Sequence, residues 1–132
     1  MQGQEYARRY TAAEVTGVDR ERLLLLVLEG GTKHLRLTRD ALAKGDIPRF
    51  AQHLARAQAI VAELLGTLDH EAGGTIARDL ARLYQFMLFH LTEANARKSL
   101  RHVDEVIDIF GTITGAYRAI LERGPATAGS GR

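Results

Sequence analysis

From Gly73 to Asn95 the chain reads GGTIARDLARLYQFMLFHLTEAN. Its middle, Leu83 to Leu91 (LYQFMLFHL), is interrupted only by Gln85 and His90. An α-helix turns about 100° per residue, so Leu83, Tyr84, Phe86, Met87, Leu88, Phe89 and Leu91 point in most directions. A surface helix carries a single apolar stripe about 100° wide, backed by a polar face. This stretch has a surplus, which must be covered by more of this chain or by another chain. No catalytic constellation accompanies it here or elsewhere in the sequence. Binding is therefore the leading reading.

Working outward, three more segments repeat with helical period. The first runs from about Asp19 to Lys44, with Leu24, Leu28, Gly31, Leu35, Thr38 and Leu42 on one face at steps of three and four. Asp19 is a fair N-cap and Gly45 a fair stop. The second is capped by Asp46, with Pro48 tolerated in its first turn. It repeats Phe50, Leu54, Ala57, Val61, Leu64 and Leu68, beside Ala51, Ala55, Ala59 and Ala62, small enough to let a neighbouring helix approach. Gly73-Gly74 breaks the chain before the third, about Thr75 to Ala96, whose expected core face is Ile76, Leu80, Leu83, Met87, Leu91 and Ala94. Ser99 caps the fourth, with Leu100, Val103, Ile107, Phe110, Thr114, Tyr117 and Leu121 on one face and Val106, Ile109, Ile113 and Ile120 widening it.

Helices of this length span about 33–39 Å at 1.5 Å per residue. Short connections force consecutive helices to pack as antiparallel neighbours. The expected fold is all-α, an up-down-up-down four-helix bundle over residues 19–123. Residues 1–18 are expected to form a mobile N-terminal cap segment whose apolar points are Tyr6, Tyr10, Val15 and Val18. Gly124-Pro125 is expected to end the last helix, leaving 124–132 as a disordered tail.

Composition excludes several classes. The 132 residues make one domain able to bury a core without staples. There is no Cys, so no disulfide, thiolate zinc site or Cys nucleophile, which fits a reducing cytoplasm. The first twenty residues hold no apolar signal region. The longest apolar run, Leu23 to Leu28, is far short of a membrane span. The 18 basic and 16 acidic residues give a net charge of +2, too even to pull the chain toward nucleic acid. Arg8, Arg9, Lys33, Arg36 and Arg39 are interspersed with acids, as on an ordinary solvated face. His34, His53, His70, His90 and His102 fall in different segments, and no Glu-x-x-His pair occurs, so a di-iron bundle is not expected. No cofactor and no enzymatic activity are expected.

Some features read two ways. Leu23 to Leu28 passes all round a helix; burial by two neighbouring helices and the N-terminal segment is favoured over exposure to a partner. Gly30-Gly31 costs roughly 2 kcal/mol in helix propensity relative to Ala-Ala, and close packing of a neighbour is favoured over a notch. Phe86 and Phe89 lie outside the third helix's main stripe and serve core or binding equally well. Asn95 near the helix end is favoured as a cap or turn residue.

Taken together, these pieces resemble the FliS family of flagellar export chaperones. The resemblance rests on Tyr10 and Val15, on Leu23 to Gly30 (LLLLVLEG), and on Lys44-Gly45-Asp46. It continues through Ala57 to Ile60, Glu63-Leu64, Leu68-Asp69 and Gly73-Gly74, then Leu83-Tyr84, Leu91, Ala94 and Asn95, and ends in Asp104-Glu105-Val106. It covers about residues 6 to 121. The chain departs from the family pattern in carrying Leu28 for a usual Tyr, Glu29 for a usual Asp and Tyr117 for a usual Trp. The resemblance implies a non-catalytic cytoplasmic chaperone. Its client would be the C-terminal segment of flagellin, held from premature polymerisation and passed to type III export, with export-gate components as further partners. The N-terminal segment would lie over part of the client surface. The alternative is a helical interaction module for another regulatory or export partner. The candidate partner-binding residues are Tyr10, Leu24, Leu28, Tyr84, Phe86, Phe89, Asn95, Val103, Val106 and Tyr117.

Overall fold

In the computed structural model the backbone is described for residues 17–130 and side chains for 20–123. Of the residues expected to form the N-terminal cap, 1–16, Tyr10 among them, lie outside that range, and 17 and 18 belong to the first helix. Four helices follow one another: α1 Gly17–Ala43, α2 Ile47–Gly66, α3 His70–Arg97 and α4 Leu100–Ser130. Among the described residues there is no strand. None of these helices is long and apolar enough to cross a membrane.

Local chemistry explains where the helices begin and end. Asp46 Oδ1 accepts from the Arg49 N–H at 3.3 Å, and Pro48 sits in the first turn of α2 where no intrahelical N–H is needed. Asp69 does the same for α3, accepting from Ala72 N–H at 3.0 Å. Gly74, with φ 53° and ψ −123°, interrupts α3 as the glycine pair suggested. Ser99 Oγ accepts from the His102 N–H at 3.2 Å and caps α4. Three boundaries differ from expectation. The third helix starts at His70, ahead of the Gly73-Gly74 break expected to precede it. Gly17 starts α1 ahead of Asp19, so Asp19 lies inside the helix. At the other end, α4 continues through Gly124-Pro125 to Ser130 in place of a tail beginning at Gly124. A proline's φ is itself helical, although in a helix interior the residue costs about 3 kcal/mol or more. Ala126 and Ala128 beyond it favour helix.

Cross-helix pairs give the direction of packing. Glu29 meets Arg118 at 2.9 Å and Arg39 meets Asp104 at 2.5 Å, so positions ascend along α1 as they descend along α4. His34 beside His53, and Gly31 beside Ile60, set α1 against α2 in the same opposed sense. These exposed ion pairs fix register and contribute little energy, about 0–1 kcal/mol each. Stability comes from the core: Leu28 and Leu35 of α1, Phe50, Leu54 and Val61 of α2, Tyr84, Met87 and Leu91 of α3, and Val103, Val106 and Phe110 of α4. Each buried side chain of this size contributes about 1.5–3 kcal/mol. The buried hydroxyls are satisfied, Thr38 donating to the His34 carbonyl at 2.7 Å and Thr114 to that of Phe110 at 2.8 Å.

The buried stripes are not all those the periodicity picks. On α3 the core face is Ala77, Ala81, Tyr84, Met87, Leu91 and Ala94, while Ile76 and Leu83 face solvent. A helix apolar on most sides offers several stripes, and the one that packs has small residues in its first turns. On α4 the second row supplies Val106 and Ile113 to the core, while Leu100 and Ile120 are exposed. Ala51, Ala55, Ala59 and Ala62 of α2 admit no neighbour, since all face solvent.

Candidate functional site

The surplus of apolar surface survives folding. On α3, Ile76 is 71% exposed, Phe89 64%, Phe86 46% and Leu83 39%. On α1, Leu26 faces solvent while Leu23, Leu24, Leu25 and Val27 are half-buried. The six-residue apolar run is thus only partly spent on packing, because two neighbouring helices cannot cover a full turn.

Phe86 is exposed yet makes a ring contact within its own helix. Its ring stacks on His90 at 4.8 Å, and His90 lies 4.3 Å from His102 of α4. His90 Nε2 meets Glu105 Oε1 at 2.5 Å, and His102 Nδ1 meets Ser99 Oγ at 2.7 Å. The Glu105 carboxyl is held below its ordinary value, chiefly by the hydrogen bond from His90; desolvation opposes this and Arg101 assists it. An aromatic-imidazole ladder therefore crosses the α3–α4 seam. Periodicity could not reveal it, because each histidine looks isolated within its own helix.

A second histidine pair joins α1 to α2, with His34 Nδ1 3.4 Å from His53 Nδ1. Burial lowers the His34 pKa, and His53, Arg56 and Lys33 lower it further. Among the described residues no group of three or more His, Cys, Asp or Glu side chains is placed to hold a metal ion.

The other prominent feature is a cleft of about 320 Å³ at the end where α1 starts and α2 turns into α3. Leu24 of α1, Leu64 and Leu68 of α2, Ile76, Leu80 and Tyr84 of α3, and Tyr117 of α4 line it. Tyr84 is 2% exposed, so it forms floor, whereas Leu24 and Tyr117 are half-buried wall. Burial raises the Tyr117 pKa, and the neighbouring Glu21 charge adds to the effect.

Of the sequence-derived candidates, Leu24, Tyr84 and Tyr117 are thus brought together in one cleft, and Phe86 and Phe89 share the outer face of α3. Leu28, Val103 and Val106 are fully buried in the core, where two neighbouring helices pack on them, and offer no surface to a partner. Asn95 is exposed, and the left-handed cap position is Lys98, at φ 51° and ψ 54°. Lys98 Nζ donates to the Asn95 carbonyl at 2.6 Å, so Asn95 serves the helix end by holding the cap residue. The glycine pair divides. A Cβ on Gly31 would meet the Phe110 ring, with Cζ at 2.7 Å, whereas Gly30 has nothing within 4 Å.

Comparison with known proteins agrees with this architecture. The family described as "Flagellar protein FliS" matches residues 2–124. The flagellar secretion chaperone FliSB of Pseudomonas aeruginosa is 33% identical over 102 residues, covering 77% of this chain and 81% of that protein. The flagellar secretion chaperone FliS of Vibrio cholerae is 28% identical over 117 residues, covering 89% and 86%. Its Salmonella typhimurium counterpart is 29% identical over 116 residues, covering 87% and 86%. The chain belongs to the FliS family.

Proposed function

We propose that this FliS-family chain is a cytoplasmic chaperone that binds the C-terminal segment of flagellin, keeps it from polymerising and assists its flagellar type III export. The supporting observation is the outer face of α3, where Ile76, Leu83, Phe86 and Phe89 remain in solvent although the core beneath is complete. Four large apolar side chains left exposed along one helix are more than the scattered single residues of an ordinary surface. A segment disordered while unassembled loses chain entropy on ordering, a cost of about 2–5 kcal/mol or more. Covering the exposed part of two phenylalanines and two branched aliphatics returns on the order of several kcal/mol. Binding coupled to folding is then favourable without any chemical step, and neither turnover nor a cofactor is part of this reading. Export-gate components are further partners under it.

Co-purification tests it directly. A stable complex is expected with full-length flagellin, lost when the flagellin C-terminal segment is deleted. Replacing Phe86 and Phe89 together by Ser should weaken that complex while the chain stays folded. Calorimetry should give a clearly negative heat-capacity change as apolar area leaves water. Equal affinity for truncated and full-length flagellin would refute the client assignment and leave a helical interaction module for another partner.

A further inference from the structure

The cleft at the α1 start contains a group that apolar contact alone leaves unused. Glu21 lines it, and Glu21 Oε1 is buried with no hydrogen-bond partner. Native structures rarely leave a buried acceptor unmade, because its desolvation goes uncompensated. The other charged lining residues are Arg20 and Asp69, so the cleft carries two carboxylates against one guanidinium in a chain whose net charge is +2. Asp69 is already engaged, accepting from Ala72 N–H at 3.0 Å. Asp69 is exposed, so water can meet its remaining accepting capacity, whereas the buried Glu21 Oε1 has no partner. Its pKa is raised by burial, with Arg20 pulling the other way, as an under-solvated acceptor requires. Most of the remaining wall is apolar, from Leu24, Leu68, Leu80 and the Tyr117 ring, and the Thr67 hydroxyl is spent on the Leu64 carbonyl at 3.0 Å. About 320 Å³ is room for one or two side chains, not for a helix.

We propose that this cleft docks a Lys or Arg of the partner segment together with an adjacent apolar side chain, with Glu21 accepting from the basic group. The aliphatic stem lies along Leu24 and Tyr117, and the apolar neighbour fills the space toward Leu68 and Leu80. Charge-assisted hydrogen bonds in a partly desolvated site are the strong ones, so Glu21 sets which residues the cleft admits. An acidic side chain there meets two carboxylates and is rejected. That the partner is flagellin rests on the function proposed above; the chemistry of the cleft does not.

Two small probes of one shape test the chemistry, phenethylammonium and phenethyl alcohol, titrated into the full chain and followed by amide NMR. Both should perturb amides around Leu24, Leu68 and Leu80, with the ammonium binding about tenfold tighter, as expected for one charged hydrogen bond. Glu21→Leu should abolish the preference, and the near-isosteric Glu21→Gln should shrink it. In the wild type the preference should fade as pH drops through the Glu21 pKa. Equal binding of amine and alcohol, or shifts confined to other regions, would overturn the proposal. Flagellin binding is measured on the same samples. A chain that binds flagellin without an amine preference loses the cleft and keeps the client. A chain with the preference and no affinity for flagellin keeps the cleft and loses the client.

Discussion

Phe110 in α4 has no exposed surface and its ring lies against Gly31 of α1, whereas Phe89 in α3 leaves 64% of its surface in solvent. The two helices have similar apolar content, but periodicity puts Phe110 on the main stripe of its helix and Phe89 outside the main stripe of its own. The difference lies in what faces them. Phe110 meets a glycine of α1 and Ile60 of α2 is close by, so two neighbours close over it. Phe89 points away from the helices packed beside α3. The bundle thus spends one aromatic on holding itself together and withholds the other from its own core.

The largest expected effect comes from erasing the packed member. Phe110→Ala removes a fully buried ring from the centre of the bundle and should destabilise the fold by about 3–5 kcal/mol in urea denaturation. Phe89→Ala should move stability by no more than about 0.5 kcal/mol, the range of ordinary surface substitutions. If the two losses were comparable, Phe89 would be part of the core and the binding face would have to be redrawn.

The glycine pair of α1, one member against Phe110 and one in open space, sharpens the same contrast at a smaller scale. Gly31→Val would drive new carbon atoms into the Phe110 ring, with Ile60 Cγ2 only 3.3 Å from the first of them. Overpacking of this kind costs about 1–3 kcal/mol, against which the gain in helix propensity is small. Gly30→Ala has open space around it and should stabilise the helix by up to about 1 kcal/mol. Thermal unfolding of the two variants should therefore move in opposite directions; a loss in both would mean that Gly30 is also needed without a side chain.

Much of this was legible in the sequence. Asp46, Ser99 and the Gly73-Gly74 break announce themselves through side-chain chemistry and backbone permissiveness, which act locally. The α2 core face from Phe50 to Leu64 was legible because its other side is polar or alanine, so only one stripe could be buried. On α3 the same reasoning chose Ile76 and Leu83 over Ala77 and Ala81. With apolar residues on most sides, the choice of stripe belongs to the neighbours and not to the helix. Leu28, Val103 and Val106, read from the sequence as partner-binding residues, are buried in the bundle for the same reason. The cleft floor at Tyr84, the Glu21 acceptor and the Phe86–His90–His102 ladder all need residues from separate helices, and no spacing within one segment carries that information.

The smallest expected effect separates the two histidine contacts. His90 faces a carboxylate, Glu105, while His34 faces His53 with Arg56 and Lys33 acting on it and no carboxylate among those charges. The His34 pKa in the folded chain lies below its ordinary 6.5, first because of burial and then because of those three cations or potential cations. Above pH 6.5 both folded and unfolded chains hold His34 neutral, and it contributes no pH dependence. As pH falls below 6.5 the unfolded chain takes up the proton first, so stability declines until the folded pKa is passed. Glu105 has the opposite origin and a lower window. Its folded pKa lies below the ordinary 4.5 because His90 donates to it, so its contribution is complete above 4.5 and disappears as pH falls through the folded value. Melting temperature measured from pH 8 down to pH 5 should therefore fall at the acid end in the wild type, and His34→Gln should flatten that decline. Glu105→Gln should leave the same window unchanged and alter only the region below it. Parallel curves for wild type and His34→Gln between pH 6.5 and 5 would show that the α1–α2 pair accepts a proton without strain, and that the surrounding cations are too well solvated to act on it.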